Sequence, residues 1–303
     1  MTYTMNPSTK ITDPEVTLEE QLQDNRYIEL RSEMASRYIE DLQIPNYGDM
    51  WVPGYKLITE SLAKEFGLAA MEDDPYEDLP LDEPQPATGA VDGNIIASFV
   101  DGVTGQQKHD VLNGCLLAQL AANAKFDRES APVDWTKFYA RVLENIGWVI
   151  PEFEFRRMNS TETRFTMDSA IIRVLTGIMT ENQAEVVKAS LEALKNLNDE
   201  DRRARIFSRN SVNLNEGNFQ VNNVGVSATG VLSMRLSAFG FKTNEYVTNV
   251  LWFRFSGGST ELKVTRTTLV LNEQVHERLR QPILDKLGDR GLAFIGGLEL
   301  SDN

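Results

Sequence analysis

Apolar positions recur at helical spacing over the first two-thirds of the chain and alternate over the last third. Leu18, Leu22, Leu30, Met34, Tyr38 and Leu42 fall at multiples of four and predict an amphipathic helix over about 17–42 with an acidic outer face. Thr17 and Glu20 open it as a capping box, in which each side chain satisfies the other's orphan amide, and Pro45 ends it. Pro45–Tyr55 is rich in Pro, Gly and aromatic residues and reads as an extended loop pinned by its rings. Ile58, Leu62 and Phe66 predict a second helix over about 55–66, with Gly67 just past its end.

The middle of the chain continues in helical period. His109–Lys125 carries Leu112, Leu116, Leu117, Leu120, Ala121 and Ala124, and Asp134 is the expected N-cap of a helix with Phe138, Val142 and Ile146 inward, closing at Gly147. Trp148–Phe155 alternates as a strand does, with Phe153 and Phe155 on one face and Glu152 and Glu154 on the other. A helical hairpin follows. Ala170, Ile171, Val174, Leu175 and Ile178 mark its first member, and Thr180 with Gln183 caps the second, which carries Val187, Leu191, Leu194 and Leu197.

From about residue 217 the period falls to two. Gly217–Val226, Val231–Lys242, Val247–Phe255 and Thr260–Leu271 read as four strands, separated by the turn-prone segments Ala228–Gly230, Thr243–Glu245 and Gly257-Gly258. Links this short predict an antiparallel meander. A last helix is expected from Asn272 to Leu287, kinked near residue 281 by Pro282, and Phe294–Leu300 is a further candidate strand. The expected fold class is α+β, with helical N-terminal and middle regions and a C-terminal antiparallel meander packed on helices. The expected division is an acidic helical arm (1–70), an acidic Pro-rich linker (71–90) and an α+β body (91–303) that is helical over 105–200, mainly β over 212–272 and closed by a helix over 272–288.

Charge supports that division. Residues 1–90 hold 6 Lys and Arg against 19 Asp and Glu, and residues 91–303 hold 24 against 26, so nearly all of the net −15 lies in the first part. Glu72–Glu83 has seven carboxylates and no cation, a composition that buries too little apolar surface to offset its ordering entropy. The acidic balance argues against nucleic acid as a partner and against passive attraction to anionic lipid. One cysteine, Cys115, excludes an internal disulfide and fits a cytoplasmic location, although proteins exported without a signal look the same. No secretory signal and no apolar run of about 20 residues is readable.

Candidate chemistry is sparse. His109 and Cys115 are six positions apart, about 240° around a helix, so they do not form a nucleophile–base couple, and Cys115 reads as buried and inert. His276, with Glu273 and Arg280 at helical spacing, reads as part of a solvated face. Glu152 and Glu154 have the separation of a glycosidase pair, but nothing sets their pKa values apart. Asp73, Asp74, Glu77 and Asp78 lack the ordered spacing of a calcium loop. Gly225–Gly230 has the wrong spacing for a nucleophile elbow, and no dinucleotide, P-loop or zinc-protease motif occurs. The reading leans away from an enzyme and names no catalytic, cofactor or metal residue.

Two features suit contacts instead. Arg202, Arg203, Arg205 and Arg209, with Arg156, Arg157 and Arg164 upstream, form a guanidinium cluster fit for carboxylates. The arm offers Tyr47, Trp51 and Tyr55 among its acids. The strands carry Phe219, Phe239, Phe241, Tyr246, Trp252, Phe253 and Phe255, expected mainly as core. The leading expectation is a self-associating or partner-binding protein, a homo-oligomer that uses its acidic aromatic arm and no cofactor. The alternatives are a toxin-like, membrane-active protein with amphipathic strands over Ser227–Phe241 and Thr260–Leu271, since lipid- and lumen-facing residues alternate in such strands, and an unrecognised hydrolase.

Overall fold

In the computed structural model the chain is described over residues 25–45, 80–151, 155–158, 163–288, 290–298 and 300. The first helix, α1 (Asn25–Asp41), turns Ile28, Ala35 and Ile39 into the same core as the middle helices. Arg31 donates to the Glu144 carbonyl at its start, and Lys286 to the Glu40 carbonyl at its end. Asp73, Asp74, Glu77, Asp78, Glu152, Glu154, Tyr47, Trp51 and Tyr55 lie outside the described residues, as do the helix expected over 55–66 and the capping box at Thr17.

The fold is α+β, built on a nine-stranded mixed sheet. Strands β1 (Thr88–Asp92) and β2 (Ile95–Phe99) form a hairpin absent from the sequence reading, closed by Gly93 at φ +57° and Asn94. Helices α2 (Gly105–Lys125) and α3 (Pro132–Asn145) follow, then the short edge strands β3 (Trp148–Val149) and β4 (Arg156–Met158). The outlying strand β5 (Arg164–Thr166) precedes α4 (Met167–Leu175), α5 (Glu181–Asn196), α6 (Arg202–Ser211) and the short β6 (Val212–Asn213).

Three long strands come next: β7 (Glu216–Val226), β8 (Leu232–Lys242) and β10 (Glu261–Leu271), with β9 (Arg254–Ser256) between the last two in sequence. The chain ends with α7 (Glu273–Glu277), α8 (Arg280–Leu287), α9 (Arg290–Phe294) and β11 (Ile295–Leu298). The sheet order is β11-β1-β2-β7-β8-β10-β3, with β4 also on β10 and β6 also on β7. β2 and β7 run parallel, which the long helical crossover between them permits, and the remaining pairs are antiparallel.

Several expected elements are placed differently. Val247–Phe255 is not a third meander strand: Arg254–Ser256 leaves the main sheet to pair with β5, so β10 lies directly beside β8. Asp134 sits in the first turn of α3 rather than at its cap, because Pro132 at the first helical position starts the helix after Ala131. The Arg202–Arg209 segment is helical, capped by Asp201 and buried through Ile206 and Phe207. The last helix breaks at Arg278–Leu279, four residues before Pro282, into α7 and α8.

Helices cover both faces of the sheet, giving two cores. One core joins α1, α2, α3, α7 and α8 to Ala90, Ile95, Ala97, Phe99, Val224, Met234, Leu236 and Leu269. The other joins α4, α5 and α6 to Val91, Ile96, Phe219, Val221, Phe239, Phe241, Leu262 and Val264. Its rings interlock, with Phe219 stacked on Phe239 at 5.1 Å and Phe255 edge-on to Phe241 at 5.2 Å. Trp252 and Phe253 pack against this core too, whereas Tyr246 is exposed. The strand aromatics are therefore mostly core, each burial being worth about 1.5–3 kcal/mol.

Candidate functional site

The β7–β8 hairpin is the element whose construction departs most from an ordinary half-buried sheet. Along β7 and β10 the apolar residues change faces near the middle, and β8 gains a second apolar face there. Towards the hairpin tip, Val224, Met234 and Leu269 stand in one row across β7, β8 and β10 and face the core shared with α1, α2, α3, α7 and α8, with Val226 and Leu232 the next pair outward. The reverse face there is Asn223, Arg235 and Thr268, then Gly225 with Ser233. Towards the base the order inverts, and Phe219, Phe239 and Val264 face α4–α6. The tip half is thus amphipathic with one consistent apolar face, and β8 keeps that face unbroken through Leu232, Met234, Leu236, Ala238 and Gly240.

At the inversion the α2-facing surface becomes polar while staying buried. Asp92, Asn94, Gln119, Asn218, Gln220 and Asn222 are each at most 4% exposed. Gln119 Oε1 accepts from the Asn94 N–H at 3.1 Å, and its Nε2 donates to the Asp92 carbonyl at 3.1 Å. Both side-chain polar atoms of Gln220 and the side-chain oxygens of Asn94, Asn218 and Asn222 have no hydrogen-bond partner among the described residues, and the Asp92 carboxylate makes no well-formed hydrogen bond there. Each such buried group costs about 1–3 kcal/mol. Burial pushes the Asp92 carboxyl well above the usual carboxylate range, and the Gln119 amide offsets only part of that. Cys115 on α2 lies in this strip with Asn222 Nδ2 3.9 Å from its sulfur, and burial pushes its thiol up strongly. It is the buried, unreactive cysteine its surroundings predict.

Polar ties hold α2 over this strip. Thr104 and Gln107 form a capping box missed in the sequence, where the helix was read only from His109. Gln107 Nε2 donates to Glu273 at 3.0 Å, and buried Lys108 donates to the Pro86 carbonyl at 3.1 Å. Burial of Lys108 pulls its pKa down to about 8. Asp110, nearly fully buried, takes both Arg280 Nε (2.9 Å) and a second guanidinium nitrogen (2.9 Å), and also accepts from Gln106 at 2.9 Å.

His276 corrects the sequence reading. It is 1% exposed rather than solvated, its Nδ1 donating to the Ile146 carbonyl at 2.7 Å and its Nε2 lying 3.9 Å from Asp110. Burial lowers its pKa, against the raising pull of Asp110. No set of three or more His, Cys, Asp or Glu residues suited to a metal occurs among the described residues.

The four arginines divide by helical phase. Arg202, Arg205 and Arg209 share one face of α6. Arg203 faces the sheet instead, bonded to Asp201 at 2.8 Å and donating to the Gly297 carbonyl of β11 at 2.9 Å. A Cβ on Gly296 would meet the Arg203 side chain at 2.8 Å, so this arginine clamps the sheet edge.

No protein family and no curated protein matches the chain. Solved structures similar to it include the following two. One is a delta-endotoxin, at 15% identity and a TM-score of 0.38 over 59% of this chain and 81% of that one. The other is the Evf virulence factor, at 10% identity and a TM-score of 0.31 over 62% and 74%. Neither likeness sets a family or a function for this chain. Among the described residues no helix is long and apolar enough to cross a membrane.

Proposed function

We propose that this chain is a toxin-like, membrane-active protein whose β7–β8 hairpin inserts once its helical covers part from the sheet. The observation that carries this reading is the amphipathic tip half of three strands, held beneath a helix that sits on unpaired buried polar groups. β7, β8 and β10 have 11 residues each, where a transmembrane strand needs about 9–11, and β8 keeps one apolar face along its length while β7 and β10 keep it over the tip half. The apolar row Val224, Val226, Leu232, Met234 and Leu236 supplies a lipid face, and Asn223, Ser233, Arg235 and Ser237 supply a polar one. Since lipid offers no partner for backbone groups, the hairpin would insert with its neighbours and close an edge-free barrel. The expected result is release of dye from sealed vesicles by the full chain. Intact vesicles at protein concentrations that saturate their surface would end the proposal.

A second reading rests on the α6 face. Arg202, Arg205 and Arg209 share one half-buried helix face, and the acidic arm of the same or a second copy is a chemically matched neighbour for it. Partly exposed pairs of this kind are worth about 0–1 kcal/mol each and fade as salt shortens the Debye length from about 8 to 3 Å. Self-association that falls with NaCl, and with Arg202→Glu plus Arg205→Glu, supports it. Association that is flat or rising with salt argues for ring burial instead.

A further inference from the structure

The base of the hairpin, opposite its tip, has a charge pattern at odds with the rest of this acidic chain. Arg156 and Arg157 on β4, Arg164 on β5 and Arg254 on β9 are exposed, and none of their side chains forms an ion pair or hydrogen bond with another described residue. Lys242 and Lys263 stand among them, each paired to one acid, Glu216 at 3.0 Å and Glu261 at 3.3 Å. Arg157 lies directly opposite Lys263 in the β4–β10 ladder, and like charges in that relation destabilise a sheet. Arg164 and Arg254 sit one pair apart on the same face of the β5–β9 ribbon, again like beside like.

Arg157 and Lys242 open onto a shallow hollow of about 370 Å³ lined also by Thr243, Gly257, Thr260 and the acid Glu261, which Lys263 pairs at 3.3 Å. Cations set against one another around a polar hollow are poorly placed for stability and well placed for phosphate oxygens.

We propose that this basic collar docks on anionic phospholipid headgroups at the face of the membrane from which the hairpin enters. The proposal rests on the membrane-active reading and names its lipid class. In a hairpin that crosses a bilayer the tip reaches the far side and the base stays at the near headgroups, the level at which the collar would lie. The acidic first part of the chain repels such a surface, so the collar must supply the attraction locally.

Cosedimentation of the full chain with neutral phosphatidylcholine vesicles, and with vesicles that also contain phosphatidylserine, tests the docking. Dye release from the same vesicles reports separately on the membrane-active reading. Tighter binding to the anionic vesicles is expected, weakening with added NaCl. Arg157→Glu with Arg254→Glu, both exposed and therefore expected to fold, should weaken it by roughly tenfold or more, and Arg157→Lys with Arg254→Lys should retain it. Equal binding to both vesicle types, or loss-free binding by the charge-reversed variant, overturns the docking inference even where dye is released. Lipid-selective binding without release supports the collar and counts against the inserted hairpin. Competition by inorganic phosphate that abolishes vesicle binding assigns the hollow to a free anion and overturns the lipid assignment.

Discussion

Arg280→Met should destabilise the fold by about 3 kcal/mol, because it leaves the Asp110 carboxylate buried without its guanidinium. Asp110 is 4% exposed and takes three of its four contacts with the side chains around it from Arg280. Its remaining hydrogen-bond partner, Gln106, is neutral, and His276 at 3.9 Å is kept largely unprotonated by its own burial. Breaking a buried pair on one side is far more damaging than replacing both members, so Asp110→Leu with Arg280→Met should recover most of the loss. The same pair ties the start of α2 to α8. The single variant should therefore also release vesicle dye faster than wild type, while the double variant falls between them. Thermal unfolding with dye release checks both halves, and unchanged stability in Arg280→Met would show that the pair does not secure α2.

Asp92→Asn should stabilise the protein at neutral pH, against the usual direction for a core substitution. The amide fills the same space without a charge, whereas the folded carboxyl has its pKa raised well above its ordinary value near 3.8. A raised folded pKa means that the native state binds the proton more tightly than the unfolded chain does. The stability due to that proton is complete below about pH 3.8 and is lost as pH rises through the folded value. The gain from Asp92→Asn should therefore be small near pH 4 and grow to about 1–3 kcal/mol at pH 8. Taking the difference between variant and wild type at each pH removes the contributions of His276 and Lys108, whose lowered pKa values run the other way. Denaturant unfolding across that range tests this, and a pH-independent difference would mean that Asp92 is ionised at no cost.

How much was legible in the sequence depends on what fixes each element. The two capping boxes differ instructively. Thr180–Gln183 was read because it precedes a clear apolar repeat, while Thr104–Gln107 precedes Lys108 and Asp110, polar residues that only tertiary partners bury. The β1–β2 hairpin had its signal in Asp92-Gly93-Asn94 between Ala90-Val91 and Ile95-Ile96, but strands of five residues buried on both faces show no alternation. Val247–Phe255 alternated well and still is not a strand of the main sheet: Val247, Val250 and Leu251 fill the second core from a turn, and only Arg254–Ser256 is a strand, paired with β5. His276 was misread because its neighbours in sequence are charged, although the partners that bury it come from α2 and α3. The buried polar strip could not be seen at all. Nothing in the alternation of Asn218, Gln220 and Asn222 sets them apart from a solvated strand face, and only the parallel docking of β2 and the seating of α2 put them inside.

Cys115 offers the most direct test of the central claim that α2 must lift from the hairpin. It is the only cysteine in the chain, lies between α2 and β7, and is 1% exposed. A water-soluble thiol reagent should leave it unmodified in solution for as long as the fold persists. Addition of anionic vesicles should raise the labelling rate by orders of magnitude, in step with dye release. Dye release from vesicles while Cys115 stays protected would contradict the account, because the apolar face of the hairpin would then never have been uncovered.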